Sequence, residues 1–183
     1  MNGKILVVYK SITGFTREYA EMIAQEIDCT LMDFKKVTVE TMSDFDTVIF
    51  GGRMHAGSVD GLKKAKELWK QSKASKFMVF ATGATPNEAG SVIEEMWSNN
   101  LSADELLNIP HFYMQSGLRY EKMPFSDRLM MKVFCMMMDR KKDKNEYEKQ
   151  FEGVISSSYD ISSKEYIAPL VEALKSGDVE KEG

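Results

Sequence analysis

A run of short hydroxyl side chains and one glycine follows the first apolar segment of the chain. Its members are Ser11, Ile12, Thr13, Gly14, Phe15 and Thr16. An amphipathic pattern typical of a helix comes next. The free N–H groups and the positive end of the dipole of that helix would therefore lie beside these hydroxyl side chains. This combination suits a phosphate monoester, although the same residue types also cap helices that bind nothing. The run matches neither GxxxxGK(S/T) nor GxGxxG, which excludes the common nucleotide-hydrolysing and dinucleotide-binding loops.

Short apolar runs of strand length alternate with helical patterns along the chain. The runs cover residues 4–9, 30–34, 47–50, 76–81 and 112–115. Several are continuous rather than alternating, which is typical of strands buried on both faces of a parallel sheet. The pattern is therefore βαβ, and we predict a doubly wound α/β fold. Because ligands of such folds bind at the carboxyl ends of the strands, the loops after Tyr9, Phe50 and Ala81 are the candidate binding loops.

The spacing Ser11-x-Thr13-Gly14-x-Thr16 after a first strand resembles the FMN phosphate loop of flavodoxins. The order of strands and helices over residues 1–117 is similar to theirs as well. The resemblance implies a five-stranded, flavodoxin-like parallel sheet in the order 2-1-3-4-5, with helices on both faces and FMN held noncovalently at the strand ends. We expect residues 1–183 to form a single domain of this kind, with FMN as its cofactor.

Two loops would flank the flavin if this resemblance holds. Residues 51–58 follow the third strand, and glycines there would let the backbone approach the ring, with Met54 or His55 packed on its face. Alternatively, His55 is a surface residue without a partner. Residues 82–88 follow the fourth strand and offer small residues to the polar edge of the flavin. The residues that we expect to bind the cofactor in these two loops are Met54, His55, Ala56, Gly57, Thr82, Gly83 and Ala84.

Composition excludes several classes of protein. A chain of 183 residues that is 43% hydrophobic, with 12 Gly and 4 Pro, is neither disordered nor collagen-like. Cys29 and Cys135 have no CxxC spacing and no neighbouring His, so we expect neither a disulfide scaffold nor a bound metal. The net charge of -4 argues against general nucleic-acid binding. The first apolar run is shorter than the core of a signal peptide, and we predict a cytoplasmic protein.

Positive charge and methionine concentrate in an extra segment at about residues 118–142. Between Arg119 and Lys144, eight basic residues outnumber four acidic ones, and six of the 14 methionines lie between Met123 and Met138. As a helix, residues 125–138 would be apolar nearly all round. They must therefore be buried in the fold itself, in a second copy of the chain, or in a membrane interface at the inner face of the cell membrane.

A second resemblance concerns this segment. Gly117-Leu118-Arg119-Tyr120, Met123-Pro124, Asp127-Arg128-Leu129-Met130 and the Met-rich run that follows look like the insertion of flavodoxin-type, menaquinone-dependent protoporphyrinogen oxidases. The resemblance implies oxidation of protoporphyrinogen IX, a tetrapyrrole, with electrons passed through FMN to a quinone. Cations at the edge of an apolar surface would suit the propionates of such a substrate. The expected substrate or membrane contacts are Arg119, Tyr120, Lys122 and Arg128.

Two other functions are compatible with the same motifs. One is a flavodoxin that carries electrons between redox partners and has no substrate of its own; the other is an FMN-binding scaffold or sensor that oligomerises through the Met-rich helix. No aromatic residue lies between Ala81 and Met96, so we expect an open flavin face, which favours an enzyme over a sealed carrier. Because the flavin carries the redox chemistry, no catalytic acid or base is assigned.

Overall fold

The computed structural model describes residues 3–140 and 156–179, and a parallel β-sheet lies at its centre. The strands are β1 (Ile5–Lys10), β2 (Thr30–Asp33), β3 (Thr47–His55), β4 (Ser58–Val59), β5 (Lys76–Gly83) and β6 (His111–Gln115). Their order is β2-β1-β3-β5-β6, and the two-residue β4 pairs antiparallel with the end of β3. Counted without β4, the parallel strands have the order 2-1-3-4-5. The predicted α/β fold and sheet order are therefore confirmed.

Helices cover both faces of this sheet. They are α1 (Phe15–Glu26), α2 (Val39–Ser43), α3 (Leu62–Gln71), α4 (Gly90–Asn100), α5 (Ala103–Asn108), α6 (Phe125–Arg140) and α7 (Ala168–Val179). After β6 the chain forms β7 (Gly117–Leu118), which pairs antiparallel with β8 (Tyr159–Asp160). The chain after β6 is thus tied to the segment that precedes the last helix.

Successive strand residues enter two different apolar layers. In β1, Leu6 and Val8 are buried in the layer that contains α3 and α4, whereas Val7 is buried in the layer that contains α1 and α7. In α1, Tyr19 and Ile23 belong to the second layer. Because both faces of the sheet are covered, the buried middle positions of the central strands are apolar on both sides, which is why their sequences contain continuous apolar runs.

The third strand extends further than its sequence suggests. It continues through Gly51 and Gly52 to His55, so the predicted strand end at Phe50 is wrong. A β-carbon at Gly51 would overlap the ring of Phe80, and one at Gly52 would lie 2.6 Å from Val59 Cγ1. These glycines therefore leave room for neighbouring side chains within the sheet, and the binding loop begins only after them.

The Met-rich segment forms α6, which is apolar on two sides. On one side Met138 is buried with Leu118 and Met123, which precede the helix, in a small cluster of their own. The opposite side is exposed, with Phe125 at 82% and Met137 at 66% of their possible accessible surface. Residues 141–142, at the end of the predicted segment, lie outside the described residues. Among the helices of the described ranges, none has the length and apolar character needed to cross a lipid bilayer.

Glu105 makes the stability of the domain depend on pH at the acidic end of the scale. Its burial alone would raise its pKa, but hydrogen bonds from Lys66 Nζ (2.6 Å), the Ser102 N–H (3.1 Å) and Lys70 Nζ (3.2 Å) outweigh burial and lower the pKa from 4.5 to about 2. A lowered pKa means that the folded state prefers the charged form. The stabilisation is therefore complete above pH 4.5 and is lost as the pH falls towards 2.

We expect Glu105→Gln to flatten this acid dependence. Between pH 6 and pH 3.5 the wild type should lose roughly 1–2 kcal/mol of unfolding free energy more than the variant, as measured by urea denaturation. Glu67→Gln is the matched control, because Glu67 is half-exposed and pairs only loosely with Lys64, at 3.7 Å. Equal slopes for Glu105→Gln and the wild type would contradict the assignment.

Candidate functional site

The hydroxyl-rich loop after β1 is held tightly at the N-terminus of α1. Gly14 is the residue before the helix, and its φ of 104° is one that side chains other than glycine rarely adopt. Its N–H donates to Ser11 Oγ at 3.2 Å. Thr16 is buried, and its hydroxyl shares a 2.8 Å hydrogen bond with that of Thr82, at the end of β5. The loop thereby has a fixed position relative to a second binding loop.

A pocket of about 410 Å³ opens at the carboxyl ends of the strands. All three predicted binding segments contribute to its wall. The predicted residues that line it are Thr13, Phe15, Met54, His55, Ala56, Gly57, Thr82, Gly83 and Ala84. The remaining predicted residues, Ser11, Ile12, Gly14 and Thr16, belong to the loop at the start of α1 but do not line the pocket. Of these, Ile12 is exposed to solvent.

A tight hairpin between β3 and β4 forms one side of the pocket. Its turn consists of Ala56 and Gly57, with φ values of 48° and 79°. Asn100, at the end of α4, holds the turn: its Oδ1 accepts from the Val59 N–H at 2.7 Å, and its Nδ2 donates to Gly57 O at 2.8 Å. The backbone around Gly57 is thus fixed from outside the pocket, and its inner side is left for a ligand.

Removal of the Asn100 side chain is expected to loosen this hairpin. Asn100→Ala would leave the partly buried Val59 N–H and Gly57 carbonyl without their partner, which costs about 1–3 kcal/mol of unfolding free energy. Flavin affinity should fall by about fivefold, as measured by fluorescence titration. Asn99→Ala is the control, because Asn99 is an exposed neighbour on the same helix, and it should change stability by less than about 0.5 kcal/mol. Unchanged flavin affinity in Asn100→Ala would show that the turn does not contact the cofactor.

Arg53, His55 and Asp127 join the hairpin to α6. Arg53 donates from Nε to Asp60 Oδ2 (3.0 Å) and from Nη1 to Asp127 Oδ2 (2.7 Å). Burial alone would raise the pKa of Asp127, but Arg53 and His55 outweigh it and hold that pKa below its usual value. His55 Nε2 is buried without a hydrogen-bond partner, since Asp127 Oδ1 lies 3.6 Å away. The His55 ring in the pocket wall therefore has a buried nitrogen that lies near a carboxylate and makes no hydrogen bond within the described residues.

The far wall of the pocket is formed by residues that the sequence did not identify. Asp127, Met130, Met131 and Phe134 of α6 line it, together with Met96, Ser116, Gly117, Leu118 and Met123. The expectation of an open face is wrong, because α6 lies across the pocket. Met130, Met131 and Phe134 share one helical face by their i, i+1, i+4 spacing, but that face could equally have packed against any part of the fold.

The four residues expected to contact substrate or membrane do not form one group in the structure. Arg119 lies over the Phe15 ring, with its guanidinium carbon 3.9 Å from the ring centre, next to the hydroxyl-rich loop. Lys122 Nζ is 3.8 Å from the position of a β-carbon at Gly14. Arg128 donates from Nε to Met123 O at 3.0 Å, and the Tyr120 N–H donates to Ser158 Oγ at 2.9 Å. Arg119 and Lys122 are thus close to the expected phosphate.

The site has the properties that FMN requires. Its volume lies within the usual range for cofactor pockets, and its lining is largely apolar. The start of α1 offers backbone N–H groups and the Thr13 hydroxyl to a phosphate. A family model described as a flavodoxin domain matches residues 6–146. The chain belongs to the flavodoxin family. FMN, the cofactor of flavodoxins, is accordingly the cofactor of this domain.

Solved structures resemble this flavodoxin domain at low sequence identity. A flavoprotein from Lactobacillus acidophilus, solved in complex with FMN, is 18% identical over 62% of this chain and 93% of its own, with a TM-score of 0.41. The Trp repressor binding protein of Bacillus subtilis is 14% identical over 63% and 88%, with a TM-score of 0.43. Smu.1420 of Streptococcus mutans is 12% identical over 82% and 100%, with a TM-score of 0.45. No curated protein matches the chain.

Proposed function

We propose that this flavodoxin domain is an FMN-dependent oxidoreductase of the protoporphyrinogen oxidase type. It would oxidise an apolar, planar tetrapyrrole and pass the electrons to a quinone. The observation that carries this proposal is the wall of the pocket made by α6, because Met130, Met131 and Phe134 add an apolar surface opposite the three cofactor loops. The resemblance of residues 117–138 to the oxidase insertion supports the same substrate class.

The roles of the protein residues follow from their positions around the pocket. FMN supplies the redox chemistry when bound, by accepting a hydride equivalent and releasing electrons. The loop that contains Thr13 would bind its phosphate, and the turn at Gly57 would support the ring. His55 lines the pocket, and its ring would pack beside the bound flavin. Arg53 fixes Asp127 and thereby keeps α6 across the pocket.

An electron carrier without its own substrate is the second candidate. It is favoured by one observation, namely that α6 places Phe134 and two methionines in the pocket wall, where the sequence predicted an open flavin face. In this case only a separate reductase would reduce the flavin, and the apolar wall of α6 would serve to exclude water.

Turnover by the purified protein separates the two candidates. FMN-loaded protein is mixed with protoporphyrinogen IX and a soluble menaquinone analogue without oxygen, and porphyrin fluorescence is followed. Free FMN at the same concentration is the control for non-enzymatic oxidation. Porphyrin formation that needs both the protein and the quinone would support the oxidase. A flavin that is reduced only by an added reductase, with no porphyrin formed, would support the carrier instead.

The exposed side of α6 is the proposed contact with the inner face of the cell membrane, where a quinone would be found. Its apolar side chains lie among the cations Arg128, Lys132 and Arg140, a pattern that favours an anionic lipid surface over a second copy of the chain. The exposed large apolar residues of α6 are Phe125, Leu129, Met130, Val133, Phe134, Met136 and Met137, of which Met130 and Phe134 also line the pocket. No role for nucleic acid is proposed.

Vesicle sedimentation and molecular mass test this membrane contact. A variant with Leu129, Met136 and Met137 replaced by Ser should no longer sediment with phosphatidylglycerol vesicles, while its mass in solution stays that of the wild type. Leu107→Ser is the control, since Leu107 is 86% exposed on α5, away from the cations of α6. A lower mass for the triple variant would instead support a homo-oligomer built through residues 125–138.

A further inference from the structure

Arg119 connects the start of α1 with the segment before α7. Its Nη1 donates to Glu18 Oε1 at 2.6 Å, and its Nη2 donates to Glu18 Oε2 at 2.7 Å, which makes the pair bidentate. The same Nη2 donates to Asp160 Oδ2 at 2.7 Å, and Nη1 reaches the carbonyl oxygen of Thr13 at 3.3 Å. The guanidinium also stacks on the Phe15 ring. These contacts and its burial, at 14% exposure, fix Arg119 in one orientation.

Glu18 presents a difficulty for a phosphate at this helix start. Its carboxylate lies in the first turn of α1, and Oε1 is 3.4 Å from the position of a β-carbon at Gly14. Gly14 precedes the helix and belongs to the loop that would hold the phosphate. A carboxylate and a phosphate dianion so near to each other repel strongly when neither is paired. Both also compete for the same positive end of the helix dipole.

We propose that Arg119 is a positioning residue for the cofactor phosphate and makes the site selective for phosphorylated flavin over riboflavin. It neutralises Glu18 where that carboxylate lies beside the loop, and it binds the Thr13 carbonyl, which leaves the Thr13 side chain and the following N–H groups to face the phosphate. This inference rests on the proposed FMN site at the start of α1. It goes beyond that site by assigning the phosphate affinity to residues outside the hydroxyl-rich loop.

The charges around the guanidinium support this assignment. Glu18 and Asp160 contribute two carboxylates, against which stand Arg119 and Lys122, whose Nζ is 3.8 Å from the position of a Gly14 β-carbon. Glu121 also interacts with both cations, so removal of Arg119 takes one of two positive charges from a cluster of three carboxylates and leaves it strongly negative. A negative cluster beside the loop would oppose a phosphate but leave an uncharged riboflavin unaffected.

The experiment compares FMN with riboflavin, which lacks the phosphate. Fluorescence titrations of the 183-residue chain would give both affinities for the wild type, Arg119→Met and the double variant Glu18→Gln/Arg119→Met. We expect Arg119→Met to bind FMN about tenfold more weakly and riboflavin within twofold of the wild type. The double variant should recover most of the FMN affinity, because the uncompensated carboxylate is gone. Higher salt should also recover part of the loss in Arg119→Met, by screening the repulsion.

Arg17→Met is the matched control, since Arg17 is an exposed cation on the same helix that pairs with Glu21. It should leave the preference for FMN over riboflavin unchanged. Equal weakening of both flavins in Arg119→Met, or no recovery in the double variant, would overturn the proposal and leave Arg119 a purely structural residue. A wild type that binds neither flavin would instead contradict the proposed function itself.

A second variant keeps the test decisive if Arg119→Met does not fold. Glu18→Gln alone removes the negative charge and keeps the stacked guanidinium and its bond to Asp160. We expect it to bind FMN as tightly as the wild type or more tightly, with riboflavin unchanged. A selective loss of FMN affinity in Glu18→Gln would show that Glu18 assists the phosphate rather than opposing it, and the proposal would be wrong.

Discussion

A Thr13→Glu variant is expected to purify without FMN and to bind added FMN about a hundredfold more weakly than the wild type. Thr13 is buried, it lines the pocket, and it belongs to the loop at the start of α1. A carboxylate at this position would meet the phosphate at close range, in a part of the site where little water can screen the repulsion. The absorption spectrum of the purified protein and a fluorescence titration with FMN measure the effect.

Thr13→Gln is the matched control for this experiment, because glutamine has the size of glutamate without its charge. We expect it to keep most of the FMN affinity that Thr13→Glu loses. The two variants should differ far less in their affinity for riboflavin than in their affinity for FMN. If the two variants bind FMN equally weakly, the effect is one of size. The phosphate would then lie elsewhere, and the hydroxyl-rich loop would be only a helix cap.

The second large effect is expected from Gly51→Ala, which should lower the unfolding free energy by about 3 kcal/mol. A β-carbon at Gly51 would overlap the Phe80 ring, which is fully buried. The backbone cannot move aside, because β3 is hydrogen-bonded to β1 on one side and to β5 on the other. Urea denaturation of the apoprotein measures the loss without a contribution from the cofactor.

Gly90→Ala is the control for Gly51→Ala, because a β-carbon at Gly90 meets nothing within 4 Å. Gly90 begins α4, where alanine is the better helix former, so stability should be unchanged or slightly higher. A smaller side chain at position 80 should rescue Gly51→Ala, and we expect the double variant with Phe80→Leu to be more stable than Gly51→Ala alone. Without this rescue, the contact with Phe80 would not explain the destabilisation.

The sheet order and the three binding segments could be predicted because both depend on local patterns. Continuous apolar runs indicate buried parallel strands, and the topology then brings the loops after them to one edge. The end of β3 could not be predicted in this way. Gly51 and Gly52 are typical of a loop in sequence, and only the positions of Phe80 and Val59, which lie elsewhere in the chain, show why they belong to a strand.

The contacts between α6 and the pocket were beyond prediction for a different reason. Arg53 and Asp127 are separated by 74 positions, and no periodicity or motif links the two. Arg119 shows the same limit: its charge suggested a contact for a substrate, yet Glu18 and Asp160, 101 and 41 positions away, already neutralise it. The sequence identifies which residues are charged, whereas the fold determines which of those charges are free to contact a substrate and which are already paired within the protein.

The position of α6 across the pocket links the resistance of this helix to proteolysis with the presence of the cofactor. Met130, Met131 and Phe134 line the space in which the flavin binds, so an occupied pocket holds α6 in place and an empty one gives it less to pack against. Release of α6 would expose a long methionine-rich segment to proteases. We therefore expect proteases to cleave the FMN-free protein within α6 faster than the FMN-loaded protein.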